Sequence, residues 1–397
     1  MASHSSLLLL LIALVTFLIH TEADSDFSVS SASTESIDSS TEHISFVKQW
    51  TLTASNTHDG NSNNDDDDDS NDSNDDSLDD GDDRIDSIKL QVPGRVFVSY
   101  VSSLPSGVLG YVNVSGDSQS VVETVKVNSN DDDEELEVKF DKSSGSVSSG
   151  YLLTEIFLAT SNIVDEVEIE SSAEVIIEDG VLVASNINKE VQVKASDSSV
   201  VFISSAAMSL QDLKLELSDS SSLQLTTDSI TIREDGQFQA HDKSSIKVLT
   251  SSLKVDDLDL DAENSGIICI SATDVTARSY DGKDASKISL PNASSKYTST
   301  GSLSCDEAST PSRKPVCVFS SSCSTASASG TSSTTSTSTS TPSTTSASST
   351  STTTSSPSAQ SSSGVKTSEQ ASAATTSFSA YTLGMALTSG LLVVLSL

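Results

Sequence analysis

The stretch Leu215-Glu216-Leu217-Ser218-Asp219-Ser220-Ser221, followed at once by Leu223-Gln224-Leu225, decides the fold. Apolar and polar residues alternate on both sides of a short Ser/Asp turn. Period two over a few residues means a strand with one face buried. The same phrase recurs upstream as Val193-Lys194-Ala195-Ser196-Asp197-Ser198-Ser199. Downstream it returns as Phe238-Gln239-Ala240-His241-Asp242-Lys243-Ser244, Leu260-Asp261-Ala262-Glu263-Asn264-Ser265-Gly266 and Ser279-Tyr280-Asp281-Gly282-Lys283-Asp284-Ala285. The turn residues Asp197, Asp219, Asp242, Asn264 and Asp284 stand 22, 23, 22 and 20 residues apart. A period of this size marks a solenoid, in which each repeat stacks on its neighbours. One repeat holds three short strands and their turns. The expectation is therefore all-β: a single right-handed parallel β-helix-like solenoid with coils of about 20–25 residues, flanked by disordered segments.

Working outward, alternation begins near residue 84 and ends near residue 303, and these bounds define the expected folded domain. Strands are expected at Ile88-Lys89-Leu90, Arg95-Val96-Phe97-Val98, Glu135-Leu136-Glu137-Val138 and Ile156-Phe157-Leu158. Upstream, residues 24–83 are rich in Ser, Asn and Asp and centre on Asp65-Asp66-Asp67-Asp68-Asp69. A block of like charges buries too little apolar surface to offset its ordering entropy, so this segment is expected to be disordered. Downstream, residues 304–376 are Ser, Thr and Ala with scattered Pro, the composition of an O-glycosylated stalk.

The two ends imply a route. An apolar run from Leu7 to Ile19 is too short to span a bilayer core and reads as a secretory signal, with cleavage expected after Ala23. Residues 377–397 end on an apolar tail preceded by a polar spacer and small residues, the pattern of a GPI attachment signal. The expected attachment residue is Ser363, with Ser362, Gly364 and Ala371 as alternatives. The partner implied is a membrane, through a GPI lipid, at the cell surface or in the cell wall.

In such a compartment Asn71, Asn113 and Asn292, each in Asn-x-Ser/Thr, are acceptors for N-glycans. The four cysteines, Cys269, Cys305, Cys317 and Cys323, are expected to form disulfides, with three connectivities open. Cys269 bonds to Cys305 or is simply buried in its apolar strand.

The full chain has 397 residues and a net charge of −36, with aromatics at 4%. That balance excludes nucleic acid as a partner, which needs a basic footprint. Acidic pairs such as Glu234-Asp235 and Asp256-Asp257 are too common to mark a glycoside hydrolase, whose chemistry needs one positioned pair. His241 in its turn reads as a solvated polar residue and not as a base. No cofactor is expected. A polysaccharide lyase or hydrolase on a β-helix stands as the alternative to a non-enzymatic surface protein. A further alternative is Ca²⁺ held by the ladder Asp197, Asp219, Asp242, Asn264 and Asp284, since stacked carboxylates repel and Ca²⁺ takes oxygen ligands. Exposed Asp with diffuse counterions is the simpler expectation.

A resemblance adds to this reading. The strand Val112-Asn113-Val114-Ser115-Gly116, then Leu136-Glu137-Val138, then Glu168-Ile169-Glu170-Ser171-Ser172-Ala173-Glu174-Val175, leads into short Ser/Gly/Asp turn repeats. From Ser87 to Leu290 the chain resembles the auto-transporter adhesin head domain family, a repetitive β-solenoid of bacterial surface proteins. The turns here use Ser and Asp where that family often uses Gly. The resemblance implies a solenoid and an adhesive or structural role in contact with wall polysaccharide or the surface proteins of other cells. It supplies no catalytic residues.

Overall fold

The computed structural model describes residues 27–54, 85–130, 134–141 and 149–319. All lie in the first of two compact units, which ends at Ser327. The strands, in chain order, begin with β1 (Phe27–Ser31), β2 (Glu35–Ser36), β3 (Phe46–Ala54), β4 (Ser87–Gln91), β5 (Gly94–Tyr100) and β6 (Val108–Gly116). A short helix α1 (Gln119–Thr124) precedes β7 (Val125–Asn130), β8 (Glu135–Phe140) and β9 (Gly150–Leu158). Then come β10 (Glu166–Ile169), β11 (Ala173–Ile177), β12 (Ser185–Ala195), β13 (Val200–Leu217), β14 (Ser222–Ala240), β15 (Ser245–Ala262), β16 (Ile267–Lys283), β17 (Ile288–Ser289) and β18 (Val316–Val318).

From β12 onward every pairing to β17 is parallel, and the coils stack into a β-solenoid of about five turns. Each coil has three sides. Inward residues stack in register on the first side (Val201, Leu223, Ile246, Ile268), the second (Met208, Ile230, Leu253, Val275) and the third (Leu215, Phe238, Leu260). All are buried, so the alternation seen in the sequence is one column of side chains pointing into a shared core. The side-to-side bends within β13, β14 and β15 fall at register shifts such as Ile232/Asp235, where a residue is inserted and the strand turns.

The N-terminal rungs do not follow chain order. The β4 and β5 coil is sandwiched, β4 between β8 and β10 and β5 between β9 and β11, always in parallel. Beyond β9 the sheet turns antiparallel, with β6 on β9, β3 on β6 and β1 on β3, while β7 closes the third side against β8. This antiparallel cap covers the end of the solenoid.

Two expected boundaries are corrected. Residues 24–83 were expected to be disordered as a whole, yet Phe27 to Ala54 supplies three strands of the cap, with Phe27, Trp50 and Leu52 buried. The reason is local: Trp50-Thr51-Leu52 alternates, and averaging it with the Asp run hides the period. The Asp run itself lies outside the described residues. The stalk was expected from residue 304, but the head continues to Phe319, and β18 pairs antiparallel with the start of β9.

Candidate functional site

The repeated turns join the third side of one coil to the first side of the next. Asp197, Asp219, Asp242, Asn264 and Asp284 all have left-handed backbone, with φ between 54° and 60°. Asn and Asp enter this region more readily than other non-glycine residues, because their short polar side chains bond locally. The repeat of Asp is thus first a requirement of the backbone. Coil-to-coil hydrogen bonds tie the turns together: the N–H of Ser220 donates to the carbonyl of Asp197 at 2.8 Å, Lys243 to Asp219 at 2.7 Å and Ser265 to Asp242 at 2.7 Å.

The last turn residue points inward. Ser199, Ser221 and Ser244 are buried, and their hydroxyls donate to carbonyls within the turn or on the preceding coil. In the fourth turn this place is Gly266, where a Cβ would sit 1.9 Å from the Ala240 carbonyl oxygen.

The ladder's side chains also find local partners. Asp219 Oδ2 accepts from the Asp197 N–H at 3.2 Å, and Asn264 Nδ2 donates to Asp242 Oδ1 at 3.1 Å. Asp284 pairs with Lys287 at 2.6 Å, and that hydrogen bond, with one from Ser286, holds its carboxyl below the usual range. Among the described residues no group of three or more His, Cys, Asp or Glu side chains is gathered so as to hold a metal ion.

A second ladder runs along the outside of the third side. In register it reads Glu137, Lys89, Glu168, Lys194, Glu216, Gln239, Asp261, Lys283. Charges alternate except at Gln239. Lys89 pairs with Glu168, Lys283 with Asp261 at 2.7 Å, and Lys194 reaches Glu166 at 2.8 Å. The hydrogen bond that Lys89 donates to Glu168 raises the Lys89 pKa, and the one that Lys194 donates to Glu166 raises that of Lys194. Burial works against the Glu137 carboxylate, but hydrogen bonds from Lys139 and Asn128 outweigh it and keep the pKa low. At the bend between the second and third sides the carboxylates of Asp212, Asp235 and Asp257 stack instead. Loss of solvent, followed by those neighbours and Glu234, raises Asp235.

The first side is different, because its outward residues are covered. Phe97, Leu153, Ile176 and Phe202 form a separate apolar cluster on its outer surface and are buried. Residues 303–318 run back across this side, from the last coil to the cap, as a strap. A disulfide between Cys269 and Cys305 fixes the start, with Cα atoms 5.7 Å apart. Gln224 then clamps Ala308 through both backbone groups, at 3.1 and 2.7 Å. Arg313 lies over Phe97, its guanidinium 4.8 Å from the ring centroid, and bonds Ser99, Glu155 and Glu178. Arg95 holds the carbonyls of Ser312 and Lys314. Cys317 is disulfide-bonded as well, to a partner outside the described residues.

The other sequence-marked residues are dispersed. Asn113 sits mid-strand on β6 with its side chain half-buried, accepting from Gln49 Nε2 at 2.9 Å. Its sequon hydroxyl, Ser115, is buried. Asn292 is exposed in the loop after β17 and donates to the Ala272 carbonyl at 2.8 Å. His241 is half-buried, with Glu263 3.4 Å from its Nδ1. Asn71, Cys323, Ala23, Ser362, Ser363, Gly364 and Ala371 lie outside the described residues.

Sequence reasoning missed the charge ladder and the strap. The first was within reach, since Lys194, Glu216, Gln239 and Asp261 each stand three residues before their turn residue.

The described residues thus define a capped, strapped β-solenoid head. No family model matches the chain, and no curated protein matches it. Among solved structures it is similar to a "putative adhesin" of Parabacteroides distasonis, at 12% identity over 66% of this chain and 97% of that one, with a TM-score of 0.29. It is also similar to a "putative lipid binding protein" of the same organism, at 11% over 50% and 90%, TM-score 0.31. A "putative adhesin" of Parabacteroides merdae matches at 14% over 52% and 91%, TM-score 0.28. Superpositions this loose leave the fold to rest on the strand register of this chain.

Proposed function

We propose that this chain is an extracellular, GPI-anchored glycoprotein whose solenoid head acts by contact and not by catalysis. The observation that carries this reading is the use made of the polar side chains. Along the third side they are spent on one another, rung by rung, which produces a flat, regularly spaced array of paired charges. Fixed groups at strand spacing suit the recognition of an extended partner, such as a wall polysaccharide or a protein of another cell surface.

The strap supports the same reading. It brings the chain back to the cap, where Phe319 packs on Phe140 of β8 at 4.7 Å between ring centroids. The secretory run, the Ser/Thr tract and the apolar C-terminal pattern supply the route and the tether.

The test is release and loss. A phosphatidylinositol-specific phospholipase, or wall digestion, should free a mature chain that lacks Leu391 to Leu397, and deletion should lower cell–cell or cell–wall adhesion. Recovery of a mature chain that keeps that tail, or adhesion unchanged on deletion, would count against the proposal.

A further inference from the structure

The three sides of the solenoid do not stop at the same height beyond β16. On the first side β17 adds a further rung, pairing in parallel through Ile268 with Ile288 and Cys269 with Ser289. On the second side no strand follows, and side chains from the loop after β17 take its place. Asn292 Nδ2 donates to the Ala272 carbonyl at 2.8 Å, and Lys296 Nζ and Tyr297 Oη both donate to the Val275 carbonyl at 3.2 Å. Tyr297 Oη also accepts from the Ala277 N–H at 2.7 Å. At the corner, the N–H groups of Thr300 and Gly301 donate to the Ala285 carbonyl. On the third side β16 ends with residues 279–283, and among the described residues nothing hydrogen-bonds the outer edge of that backbone. The third side is one strand short.

We infer that this step is a docking site for one extended segment of a partner polypeptide carrying a basic residue, which adds to the third side as its missing rung. The inference rests on the contact reading above and names the class of partner and the mode of binding.

The step lacks main-chain partners and not apolar cover. An open strand edge presents a row of N–H and C=O groups, the template on which another strand adds. Beneath it the core is already closed. The inward column Leu215, Phe238, Leu260 ends on Gly282, and Tyr280 fills the place a side chain would take there, since a Cβ on Gly282 would collide with the Tyr280 hydroxyl. The Tyr280 ring packs in turn on that of Tyr297, with centroids 5.0 Å apart. A polypeptide supplies the missing groups in register.

Shape favours a single strand over a second coil. The step is one rung deep, and the neighbouring first and second sides both stand above it. Two copies brought together by their third sides would have to fit two raised layers into that one gap.

The outward side chains set the charge of the segment. Lys214, Gln237, Asp259 and Asp281 stack in one column, and Glu216, Gln239, Asp261 and Lys283 in the next. Lys283 is engaged with Asp261 at 2.7 Å. Asp259 and Asp281 stand side by side on adjacent strands ~4.8 Å apart, and their column carries no cation nearer than Lys214. The next place in that column belongs to the missing rung and lies beside Asp281, which is exposed. A Lys or Arg there pairs with Asp281 across the strands, and an acidic residue two positions on faces Lys283. The chain builds this pattern once itself, as Leu213-Lys214-Leu215-Glu216-Leu217 on the third side of β13.

The probe is a labelled synthetic peptide copying Gln211 to Ser218, titrated with the full chain and read by fluorescence anisotropy, and its acidic control carries Lys214→Glu. In parallel register Lys214 of the peptide falls beside Asp281, Leu215 beside Gly282 and Glu216 beside Lys283. The first peptide should bind about tenfold or more tighter than the control. Asp281→Lys in the full chain, a change at an exposed position, should leave the melting temperature unchanged and reverse that preference. Hydrogen exchange should find the amides of residues 279–283 that face away from β15 open in the free chain and protected by the peptide. No binding of the first peptide, equal binding of both, or a preference unmoved by Asp281→Lys would overturn the inference. Protection of those amides without peptide would overturn it as well, the occupant being a second copy if protection is lost on dilution and a segment of the same chain if it is not. Adhesion that persists in Asp281→Lys cells but is lost on deletion would sink strand addition and leave the contact reading standing. Adhesion unaffected by deletion of the whole chain defeats the contact reading instead, so the two failures are distinguishable.

Discussion

The first and third sides of the solenoid are built from the same coils, with the same inward ladders, and differ only in what faces out. On the third side the outward column is Lys194, Glu216, Gln239, Asp261, Lys283, and the side chains of Glu216 and Lys283 are 38% and 55% exposed. On the first side it includes Phe97, Ile176 and Phe202, all buried, with Arg313 of the strap over Phe97 and Ile44 packed against the cluster. A strand with one wet face alternates, whereas a strand buried on both faces reads as a continuous apolar run. Val96-Phe97-Val98, Val175-Ile176-Ile177 and Val201-Phe202-Ile203 are such runs. The difference between Glu216 and Phe202 is therefore the difference between a surface for contact and a seat for the chain's own strap.

Substitution tests this contrast most strongly. Phe97→Ala, on the outer surface of the first side, should cost about 3–5 kcal/mol, as for other buried aromatics. Glu168→Ala, outward on the third side, should cost under about 1 kcal/mol, because Lys89 keeps Glu170 within 3.5 Å. Denaturant unfolding of both variants decides it, and equal losses would mean that the strap does not cover Phe97.

Removal of the disulfide comes next. Cys269 and Cys305 are 36 residues apart, and a loop of that length gives the bond about 3–4 kcal/mol in the chain-entropy account. The double change to Ser should lower the melting temperature and admit protease at residues 303–318 before the coils. Simultaneous cleavage of coils and strap would show that the strap adds no separate layer.

Smaller effects are expected in the turns. Asp219→Val forces a β-branched residue into left-handed backbone and should cost about 1–2 kcal/mol, while Asp219→Asn should cost little. If Asn proved as damaging as Val, charge and not conformation would be the reason for Asp, and a bound cation would return as the explanation.

The smallest effect is with pH. Burial raises Glu135 and Asp259, and loss of solvent with neighbouring carboxylates raises Asp235. These groups take up protons more readily when folded, so stability should rise as pH falls from neutral toward their raised values. Glu137 and Glu170 are lowered, and their contribution is present above the ordinary carboxylate pKa of about 4 and lost as pH falls through their lowered values. A melting temperature that peaks in mild acid is the expected profile. A monotonic fall from pH 7 would mean that the raised carboxylates do not contribute.

Much of this was legible. The turn phrase around Asp219 carried the coil length, the inward columns and the class of fold, because a stacked coil repeats its demands at every turn. The cap was harder to see. Its rungs interleave β4 and β5 between later strands, and a chain order that differs from the spatial order leaves no fixed period to find. Trp50 and Leu52 were hidden beside an acidic run, and the strap offered no alternation of its own, since Gln224, Lys247 and Arg95 bind its backbone carbonyls and N–H groups.

The most direct test of the central claim is hydrogen exchange on the intact chain. The claim is that residues 303–318 close the first side and leave the third side open. The amides of Ala308 and of Val316 to Val318 should exchange nearly as slowly as those of β13 and β14, and reduction of the Cys269–Cys305 bond should release Ala308 first. Rapid exchange throughout residues 303–318, with the coils still protected, would contradict the account.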